Sequence, residues 1–201
     1  LEELKKTEAV RREFSANVSH ELKTPLMSIS GYAELMMNGM VRPENIADFS
    51  GRIYKEANRL GNLVADIIQL SRLDEQQDAV VSMESVELDE LAKDVVNNLR
   101  DHAEKKNISL DYCGIPINIQ GVRHVLYEML YNIADNAVRY TNPGGHIHIY
   151  VGRKGNRPFY RVEDDGIGIP KSEQKRIFER FYRVDKSHSR QTGGTGLGLS
   201  I

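Results

Sequence analysis

The sequence predicts two domains: an all-α helical hairpin that pairs with a second copy as a dimeric four-helix bundle, then an α/β two-layer sandwich. Three observations carry this reading. Apolar residues recur at three- and four-residue spacing as far as Leu70, the polar stretch "DEQQDAVVSMESV" interrupts them, and short alternating strands mixed with helices follow.

The first helix is marked by Leu1, Leu4, Val10, Phe14, Val18, Leu22, Ile29 and Leu35, and "NGMVRP" ends it through Gly39 and Pro43. A second run starts near Pro43 with Ile46, Phe49, Ile53, Ala57, Leu60, Leu63, Val64, Ile67 and Leu70, a heptad-like seam. One hairpin has too few faces to bury both seams, so the pattern predicts a homodimer. Expected boundaries are 1–76 for the hairpin, 77–83 for a linker and 84–201 for the second domain.

In the second domain "VELDELAKDVVNNLRDHAEKKN" reads as a helix, "ISLDY" and "IPINI" as short strands, and "RHVLYEMLYNIADNAVRYT" as an apolar-rich helix. "HIHIYVG" and "PFYRVED" are further strands. Alternation puts Ile147, Ile149 and Val151 on one face and His146, His148 and Tyr150 on the other, so helices are expected to cover one side of a mixed sheet.

Composition narrows the function classes. The chain has 201 residues, 27 basic against 29 acidic side chains, a net charge of −2 and 40% apolar residues, which suits globular domains. So balanced a charge leaves no electrostatic footprint for nucleic acid, and no run of about 18 apolar residues is present to span a bilayer. The single cysteine, Cys113, excludes an internal disulfide and a four-cysteine metal site and fits a reducing cytoplasm. The start, "LEELKKTEAVRREF", is charged and helix-favouring rather than signal-like, and a longer native polypeptide is expected.

Three motifs point to nucleotide chemistry. Asn132 and Asn136 lie four apart and project from one helix face, where a neutral amide oxygen suits Mg²⁺ surrounded mainly by phosphate and water; ordinary helix-surface polarity is the alternative. In "VEDDGIGIP", Asp164 can accept from a purine amine while Gly166 and Gly168 allow close backbone approach; a simple turn has the same appearance. The glycines of "GGTGLGLSI" free backbone N–H groups to face anions and open a predicted helix. No Gly-Lys-Ser/Thr follows, so this is not a Walker A loop, and no strand directly precedes it as a dinucleotide site requires. The order of Asn helix, Asp-x-Gly-x-Gly, aromatic "RIFERFYRVD" and glycine loop is more telling than any one of them.

With "SHELKTPL" added to "NIADNAVRYT", "DDGIGI", "RIFERFYR" and "GTGLGL", the chain resembles the bacterial two-component sensor histidine kinases. The five segments are similar to that family's H, N, G1, F and G2 boxes, in the family's order and over almost the whole chain. The resemblance implies a HisKA-type dimerisation and phosphotransfer domain followed by a Bergerat-type ATP-binding domain, related to those of gyrase and MutL. It implies an ATP-dependent protein-histidine kinase of a signal-transduction pathway. His20 is then the phosphoacceptor and passes its phosphoryl group to an aspartate on a response regulator receiver domain. A reverse phosphatase activity and a membrane-anchored full-length receptor belong to the same implication. The alternative is a degenerate dimeric scaffold or nucleotide-binding module; intact His20, Glu21, Asn136 and Asp164 favour the enzyme.

The chemistry of "SHELKTPL" agrees. A neutral imidazole has one lone-pair nitrogen to attack a γ-phosphorus, and Glu21 is placed to accept or stabilise the proton on the other nitrogen. Pro25 removes a backbone N–H and crowds the Glu21 carbonyl, predicting a bend just past that pair. Thr24 shares the face of His20, where its hydroxyl suits a water attacking an aspartyl phosphate.

In the second domain the resemblance assigns Asn136 to Mg²⁺, Asn132 to the phosphate end, Arg139 and Tyr140 to the nucleotide, and Asp164 to the adenine amine. It has Gly166 and Gly168 shape that pocket. Gly194, Thr195, Gly196, Leu197 and Gly198 bound a lid of about 171–193, anchored by Phe178 and Phe181. Lys186 and Arg190 are read as solvated charges, and His102, His124, His146, His148 and His188 as surface residues. Departures from the family are Val122, where relatives often carry an acidic residue, and Asp165, where asparagine is common. The chain also stops inside the helix that the glycine loop opens, which predicts a C-terminally incomplete domain.

Overall fold

The computed structural model describes residues 2–75, 82–184 and 195–200. They fall into two compact units, one built on the N-terminal helices and one on the sheets.

In the first unit α1 runs over Glu2–Met37, a short 3₁₀ turn over Pro43–Asn45, and α2 over Ile46–Glu75. Gly39 stops α1. With φ +66 it takes the left-handed position after the helix, and the Gly39 and Met40 N–H groups close back onto the Met36 and Leu35 carbonyls at 3.1 and 3.0 Å. α1 continues through Pro25, whose ring is fully buried. Next to the hairpin turn, Tyr32 and Phe49 meet edge to face at 5.6 Å, with the Arg52 guanidinium over both rings. The α2 seam is uneven: Leu63 and Leu70 are buried, whereas Ile46 and Val64 are exposed.

The second unit begins with β1 (Glu84–Glu87), α3 (Leu88–Lys105), β2 (Ser109–Gly114) and β3 (Asn118–Gly121). α4 (Arg123–Tyr140), β4 (His146–Lys154) and β5 (Arg157–Asp164) complete its helices and strands. β2 is parallel and β5 antiparallel to the central β4, while β1 and β3 form a separate antiparallel pair. Burial of Ile147, Ile149 and Val151 beside exposed His146 and His148 realises the predicted alternation. α3 contributes Leu88, Leu91, Ala92, Val95, Val96 and Leu99 to the core, and α4 contributes Leu130, Ala134 and Val138.

One element departs from the sequence reading. The helix expected from Val86 begins at Leu88, because Val86 pairs with Ile119 in β1 and the Leu88 N–H is taken by the Ile117 carbonyl at 2.8 Å. A four-residue strand abutting a helix is too short to show alternation.

Asp89 at the start of α3 is buried, and its charge is compensated on both oxygens. Lys93 Nζ lies 2.8 Å from Oδ2 and Tyr112 donates to Oδ1 at 2.6 Å, tying α3 to β2. The bond from Lys93, then that from Tyr112, holds the Asp89 carboxyl below its usual range, and burial first, then Asp89, raises the Tyr112 phenol. Glu87, Asp89 and Glu90 come close enough to suggest a cation site, but Lys93 already supplies the positive charge.

Candidate functional site

The second unit brings most of the predicted residues around α4. Asn132 and Asn136 are half-buried one turn apart, on a helix whose neighbouring Ala134, Ala137 and Val138 are buried. Gly198 lies against the first of them: a Cβ there would sit 3.5 Å from Asn132 Cγ and Oδ1, so the glycine segment and the Asn helix are adjacent. Arg139 turns back to Asp135, Nε to Oδ2 2.5 Å, which stiffens the end of the helix.

The Asp164 turn sits on the C-terminal end of α4. Asp164 Oδ1 accepts from the Gly166 N–H at 3.0 Å, and the Tyr140 carbonyl accepts from the Ile167 N–H at 3.3 Å. Gly166 is required here by close approach, because a Cβ would fall 2.5 Å from the Tyr140 carbonyl oxygen. Gly168 follows with φ +67. Asp164 is exposed and, as a carboxylate with several acceptor sites, can take a further hydrogen bond beside the one that shapes its turn.

Beyond the turn, 171–184 forms successive tight turns, such as Arg176 N–H to the Glu173 carbonyl at 2.8 Å. Phe181 joins this segment to the glycine residues: its N–H donates to the Gly196 carbonyl at 2.8 Å, with φ +63 facing φ +76 at Gly196. The expectation that Phe178 and Phe181 both anchor the segment is corrected for Phe178. It is 62% exposed, and the left-handed backbone of Phe181, at φ +63, breaks the regular spacing that would put the two rings on one face. Leu197 is fully buried, Thr195 is 9% exposed, and Ser200 N–H closes a single turn onto the Leu197 carbonyl at 2.9 Å. Lys186, His188, Arg190 and Gly194 lie outside the described residues.

His20, Glu21 and Thr24 belong to the first unit. His20 is exposed on α1, and its carbonyl accepts from the Thr24 hydroxyl at 3.2 Å. Ser19 and Ser28 bond back one turn in the same way, to Ser15 and Thr24, on either side of the peptide that Pro25 deprives of its N–H. Glu21 points to α2, where Arg59 Nη2 lies 3.4 Å from Oε2.

Two family descriptions match this chain. "His Kinase A (phospho-acceptor) domain" matches residues 10–76, and "Histidine kinase-, DNA gyrase B-, and HSP90-like ATPase" matches residues 121–201. The chain belongs to the sensor histidine kinase family. The sensor-like histidine kinase SenX3 of Mycolicibacterium smegmatis is 36% identical over 195 residues, covering 96% of the chain and 50% of that relative. The chain therefore spans about half the length of the curated relatives it matches. Full-length ShkA in complex with AMPPNP aligns at TM-score 0.60 and 28% identity, over 94% of this chain and 39% of that one. Histidine kinase ThkA in complex with the response regulator TrrA has the same fold, at TM-score 0.74 and 23% identity, over 89% of this chain and 53% of that one. None of the described helices is long and apolar enough to cross a membrane.

The contacts of three side chains had no signal in the sequence. Lys106, just past α3, donates to the Val138, Arg139 and Thr141 carbonyls at 2.8, 2.9 and 3.2 Å. It places a cation on the C-terminal end of the helix that bears Asn132 and Asn136. Asp165, noted only as a departure, accepts from the His146 N–H at 2.8 Å and from the His146 ring at 3.0 Å, clasping the Asp164 turn to β4. The backbone bond from His146, then the ring, lowers the Asp165 carboxyl, so the clasp holds at neutral pH and weakens as pH falls through that lowered value. Arg59 is the third.

Proposed function

We propose that this chain is the working core of an ATP-dependent protein-histidine kinase that autophosphorylates His20 and passes the phosphoryl group to an aspartate of a response regulator. What carries the reading is the exposed His20, followed directly by a carboxylate tied to α2, in a chain whose other unit gathers the Asn helix, the Asp164 turn and Gly196 to Gly198.

The residues present fit an adenine nucleotide with a divalent cation. Gly166 lets the turn close onto the Tyr140 carbonyl, which holds exposed Asp164 as an acceptor for the adenine amine, and Gly198 leaves backbone beside Asn132 uncovered by a side chain of its own. Asn136 would hold Mg²⁺ through its amide oxygen, with Asn132, Arg139 and Tyr140 towards the phosphates. The cation's contribution is to neutralise phosphate charge. The chain's own contribution to transfer lies at His20: one ring nitrogen forms the N–P bond as the bond from the γ-phosphorus to ADP breaks. The proton on the other nitrogen passes to the Glu21 carboxylate.

The exposed Leu26, Met27, Ile46 and Val64 of the hairpin fit burial against a second copy, completing a four-helix bundle. In that setting the regulator docks on a homodimer, and the whole protein is a membrane-anchored receptor with this core in the cytoplasm. The domain limits 1–76, 77–83 and 84–201 stand as part of the same proposal.

Incubation of the chain with γ-labelled ATP and Mg²⁺ tests the reading. The expected product is acid-labile, base-stable phosphate on His20, lost when the cation is chelated. Acid-stable label, or none, overturns the kinase reading in favour of a scaffold. Gly166→Ala should raise the nucleotide dissociation constant about tenfold, about 1.4 kcal/mol, because the turn must leave α4 to make room for a Cβ. Calorimetry returning wild-type affinity would show that the turn does not shape the pocket.

A further inference from the structure

We propose that Arg59 is a positioning residue for phosphoryl transfer at His20, its guanidinium fixing from α2 the carboxylate of Glu21. The inference rests on the reading of Glu21 as the proton partner of His20.

Arg59 lies between two carboxylates. Nη2 is 3.4 Å from Glu21 Oε2 on α1, and Nη1 is 3.7 Å from Glu56 Oε2 one turn earlier on α2. Its side chain is only 13% exposed, against 26% for Glu21 and 30% for Glu56, so the charges are partly shielded from water and salt. Among the described residues Glu56 Oε2 is buried without a hydrogen-bond partner, and Arg59 supplies a compensating charge. A planar guanidinium presents separate N–H groups to two acids at once, which the single ammonium of lysine does less well.

The arrangement bears on catalysis because Glu21 has three side-chain torsions and directly follows an exposed histidine. Without the guanidinium those torsions lose a restraint, and a carboxylate that must meet one imidazole proton loses rate with each rotamer it gains. The bond to α2 selects one region. Removing the guanidinium does more than release Glu21. It leaves the Glu56 charge uncompensated on the facing helix, and that charge repels the Glu21 carboxylate from where it was held.

The test compares initial rates of His20 labelling in the full chain for Arg59→Met, Arg59→Lys, Glu21→Gln and the double variant Arg59→Met/Glu21→Gln. Methionine keeps the apolar stem and removes the charge. Expected is an about tenfold lower kcat for Arg59→Met with the KM for ATP unchanged, since the nucleotide residues are in the other unit. Arg59→Lys should recover part of that loss. In the Glu21→Gln background the further change to methionine should cost nothing more, because the group it positions is gone.

Labelling by Arg59→Met at the wild-type rate overturns the inference, as does a full additional loss in the double variant. If Arg59→Met does not fold, the lysine variant decides: with wild-type circular dichroism, a kcat unchanged from wild type overturns the inference, and a reduced kcat at constant KM supports it. Failure of the underlying reading looks different. Glu21→Gln would then label at the wild-type rate, whereas a slow Glu21→Gln beside a normal Arg59→Met defeats the Arg59 role alone.

Discussion

His20→Gln should abolish acid-labile labelling while leaving nucleotide affinity within about twofold of wild type. Glutamine is polar, has a higher helix propensity than histidine, and replaces an exposed side chain, so α1 has no cause to unfold. The amide nitrogen carries no lone pair able to attack phosphorus, so the loss should be complete rather than partial. Nucleotide binding survives because the Asn helix, the Asp164 turn and residues Gly196 to Gly198 lie in the second unit. Two measurements on one preparation decide it: label after exposure to γ-labelled ATP, and calorimetric titration with a non-hydrolysable analogue. Label at the wild-type level would remove His20 as acceptor and point to another of the six histidines. Loss of both label and binding would mean that the substitution had damaged the fold.

How far the sequence could be read follows from where its information lies. Ile147, Ile149 and Val151 were legible as the inner face of β4 because burial on one side imprints a period of two. α3 was legible through Leu91, Val95 and Leu99, since helical burial imprints its own period. β1 was not, because four residues whose partner strand lies more than thirty positions away leave no local period. The motifs around Asn132, Asp164 and Gly196 to Gly198 could be recognised because each is a short stretch with its own grammar. That Gly198 would lie against Asn132, and that the Asp164 turn rests on the Tyr140 carbonyl, are long-range packing facts that spacing does not encode.

The same limit explains the missed side chains. Lys106 caps α4 across 32 to 35 positions, and Arg59 meets Glu21 across 38. A lone lysine after a helix and a lone arginine within one are ordinary surface residues in a sequence, and only the fold shows which carbonyls or carboxylates they face. Phe181, expected as an anchor, has a backbone conformation that spacing does not predict. A bulky aromatic at φ +63 contradicts local preference, and it is held there by its bond to the Gly196 carbonyl, which comes from fifteen residues further on. The histidines were read as surface residues, and His146 is indeed exposed, but its ring and N–H secure Asp165 and hence the Asp164 turn.

Thr24→Ala should slow dephosphorylation of the regulator by about one to two orders of magnitude while His20 labelling stays within about twofold. The Thr24 hydroxyl spends its only proton on the His20 carbonyl at 3.2 Å, and its lone pairs remain able to accept from a water. A water held in that way has its own lone pair directed outward, the orientation needed for attack on an aspartyl phosphate. Alanine removes the acceptor and with it the orientation. A helix effect cannot mimic this result, because alanine has the higher helix propensity and a hydroxyl bonded back one turn contributes little to the helix. Proton removal from the imidazole is untouched, since Glu21 and its contact with Arg59 do not involve Thr24. Thr24→Ser, which restores an acceptor on a less hindered stem, should regain most of the lost rate. The assay follows decay of phosphorylated regulator with each variant beside autophosphorylation of the same preparation. Equal loss of both activities would show that the substitution had altered the helix at Pro25 rather than a water, and wild-type decay with Thr24→Ala would leave Thr24 as an ordinary residue before a proline.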